Sequence, residues 1–332
     1  MTLLLFAGFV ALILLRVPIT MAIGLAVLSA LVYAGFSDTL YIIPLQVLDG
    51  VDNPSLLAIP FFIMAGNLMN GVGMTDRIFN FASALVGHMR AGLAQVNVVS
   101  SLLFAGVSGA AVADCAGLGT IEIKAMRERG YPAPFAAALT AASAVVGPII
   151  PPSISLVVYA FLSNTSVARL FLAGIIPGIV VGLSLMAFNY LVALKQDFPR
   201  EERKSLPQIG RAAIDGIAAL IAPGIILAAI LTGFTTATEA GVLACVYTIA
   251  LGFVYRTFSF RMLWQALTET MTITSVIMII IGFSHVMGWL LAIEQIPQQL
   301  ADQILLFTES RTIFLLLLIV FLLAVGCFVE GV

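Results

Sequence analysis

The sequence predicts an all-α polytopic membrane protein made of inverted-topology repeats. Re-entrant hairpins and broken helices are set among continuous spans, and the second repeat is incomplete. Composition gives the first reason: of 332 residues, 61% are hydrophobic and 10% charged, too few charges to cover a soluble globule of this length. The second is a pair of interruptions in otherwise apolar stretches, FAGVSGAAVADCAGLGT over 104–120 and GPIIPPSIS over 147–155. Backbone groups in lipid must be satisfied within their own segment, so Gly, Ser and paired Pro at membrane depth are tolerated only inside protein or beside a watery cavity. Discontinuous segments of this kind point to a transporter's binding site. The third reason is a repeat in the order of arms and spans.

Residues 3–15 and 18–35 read as two spans joined by a tight turn at Arg16 and Val17, the first rather short for a full crossing. It has no Lys or Arg before it and no cleavage site, and so reads as a retained span, not a signal peptide. Residues 38–53 mix Tyr41, Leu45 and Leu48 with Asp49 and Asp52, the pattern of an interfacial arm. A third span covers 56–69. Thr75 is the expected N-cap of a short amphipathic helix to His88, with Ile78, Phe79, Ala82, Leu85 and Val86 on one face.

From Gly92 the chain is apolar to Val107, breaks at Ser108 and Gly109, and is apolar again to Ile123. Each arm is too short to cross a bilayer, which predicts a re-entrant hairpin over about 92–123. Residues 135–162 are long enough to cross but are interrupted at 147–153, which predicts two half-helices with an unwound centre. Residues 170–194 cross back. The polar stretch 195–211, KQDFPREERKSLPQIGR, is expected as a cytoplasmic linker between the repeats 1–194 and 212–332. Beyond it come spans at 216–233 and 240–255, a short arm at 259–263, a span at 268–291, an amphipathic arm at 294–307 and an apolar run from Ile313.

Arm, span, arm, hairpin start and tip fall at about residues 40, 56, 75, 92 and 108, and again at about 259, 268, 294, 313 and 326. The second tip would thus include Gly326 and Glu330. A return arm, a broken helix and a final span are expected to follow in the natural protein. Arg16, Arg77, Arg90, the basic residues from Lys124 to Arg129, those of 195–211, Arg256 and Arg261 fall on one side if the N-terminus is periplasmic. Arg169 is the exception.

At a re-entrant tip the first arm ends in free carbonyls, which suit a cation such as Na⁺, and the second begins with free amides, which suit a carboxylate. Ser108, Gly109, Ala110 and Ala111 would supply backbone groups and one hydroxyl at the tip. In the second interruption Pro148, Pro151 and Pro152 remove amide donors and free carbonyls. The bland alternative is a pair of kinks repaired by neighbouring helices; two breaks in consecutive segments, with a third at the matching point of the repeat, favour function. Asp114 reads equally as a site residue, for solute, or as a partnered helix residue. Glu122, close to the Lys124 cluster, reads as a solvated interface residue. Glu239 reads as a helix cap after a Thr-rich turn, and His285 as bonded to a neighbouring backbone carbonyl. Three scattered cysteines (Cys115, Cys245, Cys327) and two histidines indicate neither a disulfide framework nor a metal site, and supply no enzymatic nucleophile and base. A net charge of −2 gives no reason to expect nucleic acid.

FAGVSGAAVADCAGLGTIEIKAMRERGYP, GPIIPPSISLVVYAF followed by ARLFLAGIIPG, and GFTTATEAGVLACVY occur here in that order. In this combination the chain resembles the large membrane subunit of the tripartite ATP-independent periplasmic (TRAP) transporters, the DctM family of the ion transporter superfamily. The resemblance implies Na⁺-driven uptake, across the bacterial inner membrane, of a carboxylate-bearing organic solute delivered by a periplasmic binding protein. It implies a small four-helix membrane subunit as partner and no cofactor beyond the coupling ion. It also implies an elevator, in which hairpins and broken helices carry the site past a scaffold. The family's ion sites carry over to Ser108 and Gly109 and to Gly147, Pro151, Pro152 and Ser153. The tip here reads Ser-Gly-Ala-Ala where the family commonly has further small hydroxyl residues. A carrier of the same superfamily working without a binding protein is the nearer alternative, and a channel the more distant one.

Overall fold

The computed structural model describes residues 2–35, 40–196, 198–307 and 310–326, and among them every regular element is helical. The chain packs into two compact units, one of residues 1–53 and 275–332 and the other of 54–274.

In the first unit α1 (Thr2–Leu14) and α2 (Ile19–Tyr33) pack side by side across a turn in which Arg16 takes φ 62°. That is the tight connection the sequence predicts. Both helices are short for a crossing, at 13 and 15 residues. Leu5, Ile23, Ala26, Val27, Ala30 and Leu31 form the core of this unit with Val286 and Leu290. The arm helix α3 (Ile42–Val51) lies close enough that a Cβ on Gly50 would stand 2.5 Å from the Cβ of His285. Among the described residues the His285 side chain makes no hydrogen bond to a backbone carbonyl, the contact the sequence suggests. Its Nε2 lies 3.4 Å from the Asp49 carboxylate, one turn along α3 from Gln46 and Leu45.

In the second unit a 3-10 turn (Pro54–Leu57) leads into α4 (Ala58–Gly71), and α5 (Met74–Val86) follows. The N-cap of α5 is Gly73 at φ 81°, not Thr75, whose hydroxyl donates instead to Asn70 Oδ1 at 2.6 Å. Its buried face is Met74, Thr75, Ile78, Ala82, Ser83 and Ala84, rotated from the expected one and leaving Leu85 exposed. Small residues let α5 approach its neighbours closely: a Cβ at Gly216 would stand 2.7 Å from the Phe81 side chain.

The remaining helices of this unit are α6 (Gly92–Ser108), α7 (Ala111–Ala116), α8 (Leu118–Glu128), α9 (Ala133–Ala144), α10 (Ile154–Leu162), α11 (Val167–Lys195), α12 (Leu206–Leu231) and α13 (Ala237–Val254). Helix α12 begins inside the stretch expected as a linker, because Ser205 and Gln208 form a capping box that starts it at Leu206. Glu239 caps α13 as expected: its carboxylate accepts the Thr236 amide at 2.8 Å, and the Thr236 hydroxyl accepts the Glu239 amide. The expected arm at 259–263 and span at 268–291 are one helix, α14 (Phe260–Ile293), started by Ser259, whose hydroxyl accepts the Met262 amide at 3.1 Å. Helices α15 (Ile296–Phe307) and α16 (Arg311–Gly326) follow where the sequence placed an arm and an apolar run. By length and composition, five helical segments among the described residues could cross a membrane: Pro54–Gly71, α11, α12, α13 and α14.

The described residues between α11 and α12 pack against the helices of this unit. Phe198 stacks on Tyr131 and Phe135, with ring centroids 4.6 and 5.1 Å away, and the Tyr131 hydroxyl donates to the Pro199 carbonyl. Burial pushes the Tyr131 phenol up to about 12. The Glu201 amide donates to the Gly87 carbonyl at 3.1 Å, and its carboxylate accepts the Ser83 hydroxyl at 2.6 Å and pairs with Arg129 at 3.6 Å. This strap ties the α5–α6 corner to the α8–α9 corner.

Candidate functional site

Helix α6 ends where Gly109 adopts φ 62° and donates its amide to the Ala105 carbonyl at 3.3 Å. This is the left-handed closure that glycine makes without strain. The chain then reverses through Ala110 into α7, where the Asp114 amide donates back to the Ala110 carbonyl at 3.1 Å. The return arm, expected to run unbroken to Ile123, is itself broken at Gly117 (φ −82°, ψ −87°). The hairpin therefore has a short inner segment, α7, and an outer one, α8, both packed on α6. The backbone of Ser108 closes α6, and its side chain lies outside what the structure describes.

The second interruption runs from Val145 to Ser153. Its backbone turns back on itself, with the Ile149 and Ile150 amides both donating to the Val146 carbonyl. Ser153 caps α10: its hydroxyl accepts the Leu156 amide at 3.2 Å and donates to the Pro148 carbonyl at 2.6 Å. In a continuous helix the Leu156 amide would reach the Pro152 carbonyl. Among the described residues no backbone amide donates to Pro151 or Pro152.

These two irregular segments meet. A Cβ on Gly109 would lie 3.0 Å from the Pro152 carbonyl oxygen and 3.3 Å from the Ile154 amide, and one on Gly106 would lie 3.4 Å from the Pro151 carbonyl oxygen. Asp114, 2% exposed, closes the other side, its Oδ2 occupying the space a side chain on Gly147 would need. Behind the break runs α11, where Gly174, Gly178 and Gly182 recur every fourth residue. A Cβ on Gly174 would overlap the Ile149 carbonyl, one on Gly178 the Ile150 side chain, and one on Gly182 would stand 2.6 Å from Leu102. This small-residue stripe seats the break and the hairpin against one helix. The structure thus brings Gly109, Gly147, Pro151, Pro152 and Ser153 into one place, with Ala110 and Ala111 on the adjoining turn and Asp114 beside them. Gly326 ends α16 in the other unit, and Glu330 lies outside the described residues.

Chemically, the meeting point puts the carbonyl end of α6 and the carbonyls of Pro151 and Pro152 together, an arrangement of oxygens suited to a hard cation. It also puts the amide end of α10 within reach, at Ile154. The Ser155 hydroxyl, in the first turn of α10, is buried without a hydrogen-bond partner among the described residues.

A second polar group lies inside the hairpin, around a residue the sequence places at the solvated interface. Glu122 is 1% exposed, not solvated as expected. Its Oε2 accepts from Asn97 Nδ2 at 2.6 Å and its Oε1 lies 2.5 Å from Ser100 Oγ. Asn97 also donates to Thr140 Oγ1 and accepts the Ser143 hydroxyl, to which Ser101 donates. Asn97, Ser100 and Ser101 recur at helical spacing on α6. That is the one signal in the sequence that this face of an apolar arm looks onto polar groups.

The family model of the tripartite ATP-independent periplasmic transporter, DctM component, matches residues 6–332. The chain belongs to the DctM family of TRAP transporters. It is similar to the sialic acid TRAP transporter large permease protein SiaM of Vibrio cholerae, with 42% identity over 86% of this chain and 67% of that one. It is 39% identical to the sialic acid TRAP transporter permease protein SiaT of Haemophilus influenzae, over 85% of this chain and 46% of that one. It is 38% identical to the C4-dicarboxylate TRAP transporter large permease protein DctM of Pseudomonas aeruginosa, over 88% of this chain and 69% of that one. The DctM chain described here therefore spans about two thirds of two of these relatives and about half of the third.

Proposed function

We propose that this DctM chain belongs to the large permease of a Na⁺-coupled secondary transporter that imports an organic acid across the bacterial inner membrane. The observation that carries this reading is the seating of Gly109 against the Pro152 carbonyl. It joins the carbonyl end of α6 to a break in which the Ser153 cap leaves the Pro152 carbonyl without the Leu156 amide. Na⁺ is bound there by backbone oxygens, with the Asp114 charge nearby to favour a cation. We read Asp114 with the ion more than with the solute, because two negative groups repel. The solute carboxylate then takes the amide end of α10, at Ile154 and Ser155. Relatives named for sialic acid and a C4-dicarboxylate support an organic acid as cargo.

A small four-helix membrane subunit and a periplasmic binding protein are the proposed partners; the family's description as a tripartite periplasmic transporter supports three components, one of them periplasmic. We read the two halves as inverted repeats and the hairpin with its broken helix as the body that moves in an elevator. A periplasmic N-terminus is supported by the meeting of residues assigned to the cytoplasmic side: Arg77 pairs with Asp215 at 3.4 Å and lies over the Tyr255 ring, and Arg129 pairs with Glu201. Uptake into proteoliposomes holding the natural permease, its small subunit and its binding protein tests this reading. Accumulation of a carboxylate solute driven by an inward Na⁺ gradient is expected; accumulation that ignores Na⁺ would count against it.

A further inference from the structure

We propose that Glu122 is a proton-binding site within the hairpin, holding a proton on Oε1 and donating it to Ser100 Oγ. The Ser100 hydroxyl has one hydrogen, yet its oxygen lies 2.7 Å from the Val96 carbonyl oxygen, 3.1 Å from the Asn97 carbonyl oxygen and 2.5 Å from Glu122 Oε1. One hydrogen cannot serve the two short contacts, to Val96 and to Glu122, and neither carbonyl can supply another. If Glu122 were ionised, one of these two contacts would be a bare approach of two oxygens. With a proton on Oε1, Glu122 donates to Ser100 and Ser100 donates to Val96, and both contacts become hydrogen bonds.

The neighbours agree with a neutral acid. Asn97 donates to the other carboxyl oxygen, and among the described residues no Lys, Arg or His pairs with Glu122. Helices α6 and α9 carry no titratable side chain, and α7 brings Asp114 and Cys115, neither of which stabilises a negative charge. On α8 itself Lys124, Arg127 and Glu128 form no ion pair with Glu122 among the described residues. A buried carboxylate without a cation is expensive, and taking up a proton is its ordinary resolution. Asn97 Nδ2 lies 2.6 Å from one carboxyl oxygen and Ser100 Oγ 2.5 Å from the other, so both oxygens are engaged within the protein once Oε1 carries the proton. The proton completes a network that joins α6, α8 and α9, so that the two arms of the hairpin and the helix behind them move together.

Infrared spectroscopy on the full chain in lipid nanodiscs tests this directly. The parent at neutral pH is expected to show the carbonyl stretch of a protonated carboxylic acid, shifted by D₂O and lost in Glu122→Gln. The band should persist in Asp114→Asn and move to higher frequency in Ser100→Ala, where the acid has lost its acceptor. Absence of the band in the parent, its survival in Glu122→Gln, or its loss in Asp114→Asn would overturn the proposal. Should Glu122→Gln not fold, the parent and Ser100→Ala decide, since an unmoved band there contradicts the assignment.

Discussion

The Ser153 hydroxyl accepts the Leu156 amide that an unbroken helix would give to the carbonyl of Pro152. One cap thus starts α10 and keeps a carbonyl available where the hairpin tip arrives. Replacing Ser153 by Ala should cost about 1 kcal/mol of helix stability through the lost cap. It should also weaken Na⁺ binding, because the released amide competes for that oxygen. Calorimetric titration with NaCl against the parent measures the second effect, and equal affinities would disconnect the cap from the ion.

Gly109 combines a left-handed backbone with a crowded position, and two substitutions separate the two. In Gly109→Ala both act, the backbone strain alone being worth about 1–2 kcal/mol. Asn tolerates the left-handed conformation better but still adds a Cβ 3.0 Å from the Pro152 carbonyl oxygen. If close approach is what matters, both variants lose Na⁺ affinity; recovery in Gly109→Asn would assign the role to backbone conformation instead.

The glycine stripe of α11 supports the break from behind. Gly178→Leu should push Ile150 out of place at about 1–3 kcal/mol, the usual range for overpacking. A lowered unfolding temperature together with weakened Na⁺ binding is expected. Replacing Gly210 by Ala, where nothing lies within 4 Å, should leave both unchanged.

Much of the fold was legible from hydropathy, because membrane helices must be long, apolar and internally bonded. Both breaks, the turn at Arg16, the Glu239 cap and the arm at 294–307 followed from local rules. What escaped depended on partners distant in the chain. Glu122 resembles a surface residue beside Lys124 until Asn97 and Ser100 of the opposite arm enclose it. The linker shows only charge, so nothing local announces that Phe198 will stack on Tyr131 and Phe135. The join of arm and span into α14 hides in the same way, since a polar stretch between apolar ones also fits one helix with a wet end.

The strap gives its own test. Phe198→Ala removes a buried aromatic side chain, at about 3–5 kcal/mol for a fully packed site. It should release 196–205 from the hairpin base. Limited trypsin digestion should then cut at Arg200, Arg203 and Lys204 faster than in the parent, while unchanged cleavage would mean that the stacking does not hold the strap.

Orientation can be read by labelling. In a chain whose native cysteines are replaced, a cysteine introduced at Gln196 should be shielded from an impermeant thiol reagent added outside the cell, and one at Gln299 should react. The opposite pattern would reverse the proposed topology and remove the inverted repeat with it.

The hairpin tip and the break behind it are proposed to make one Na⁺ site. Thermal unfolding of the purified chain in NaCl, with KCl or choline chloride keeping the ionic strength fixed, measures it without partners or solute. A bound ion stabilises by mass action, by about 2.7 kcal/mol when its concentration is 100 times the dissociation constant. The expected result is an unfolding temperature that climbs with Na⁺ alone, with the climb reduced in both Ser153→Ala and Gly109→Ala. Equal curves in Na⁺ and K⁺, or the full Na⁺ effect retained in both variants, would contradict the account.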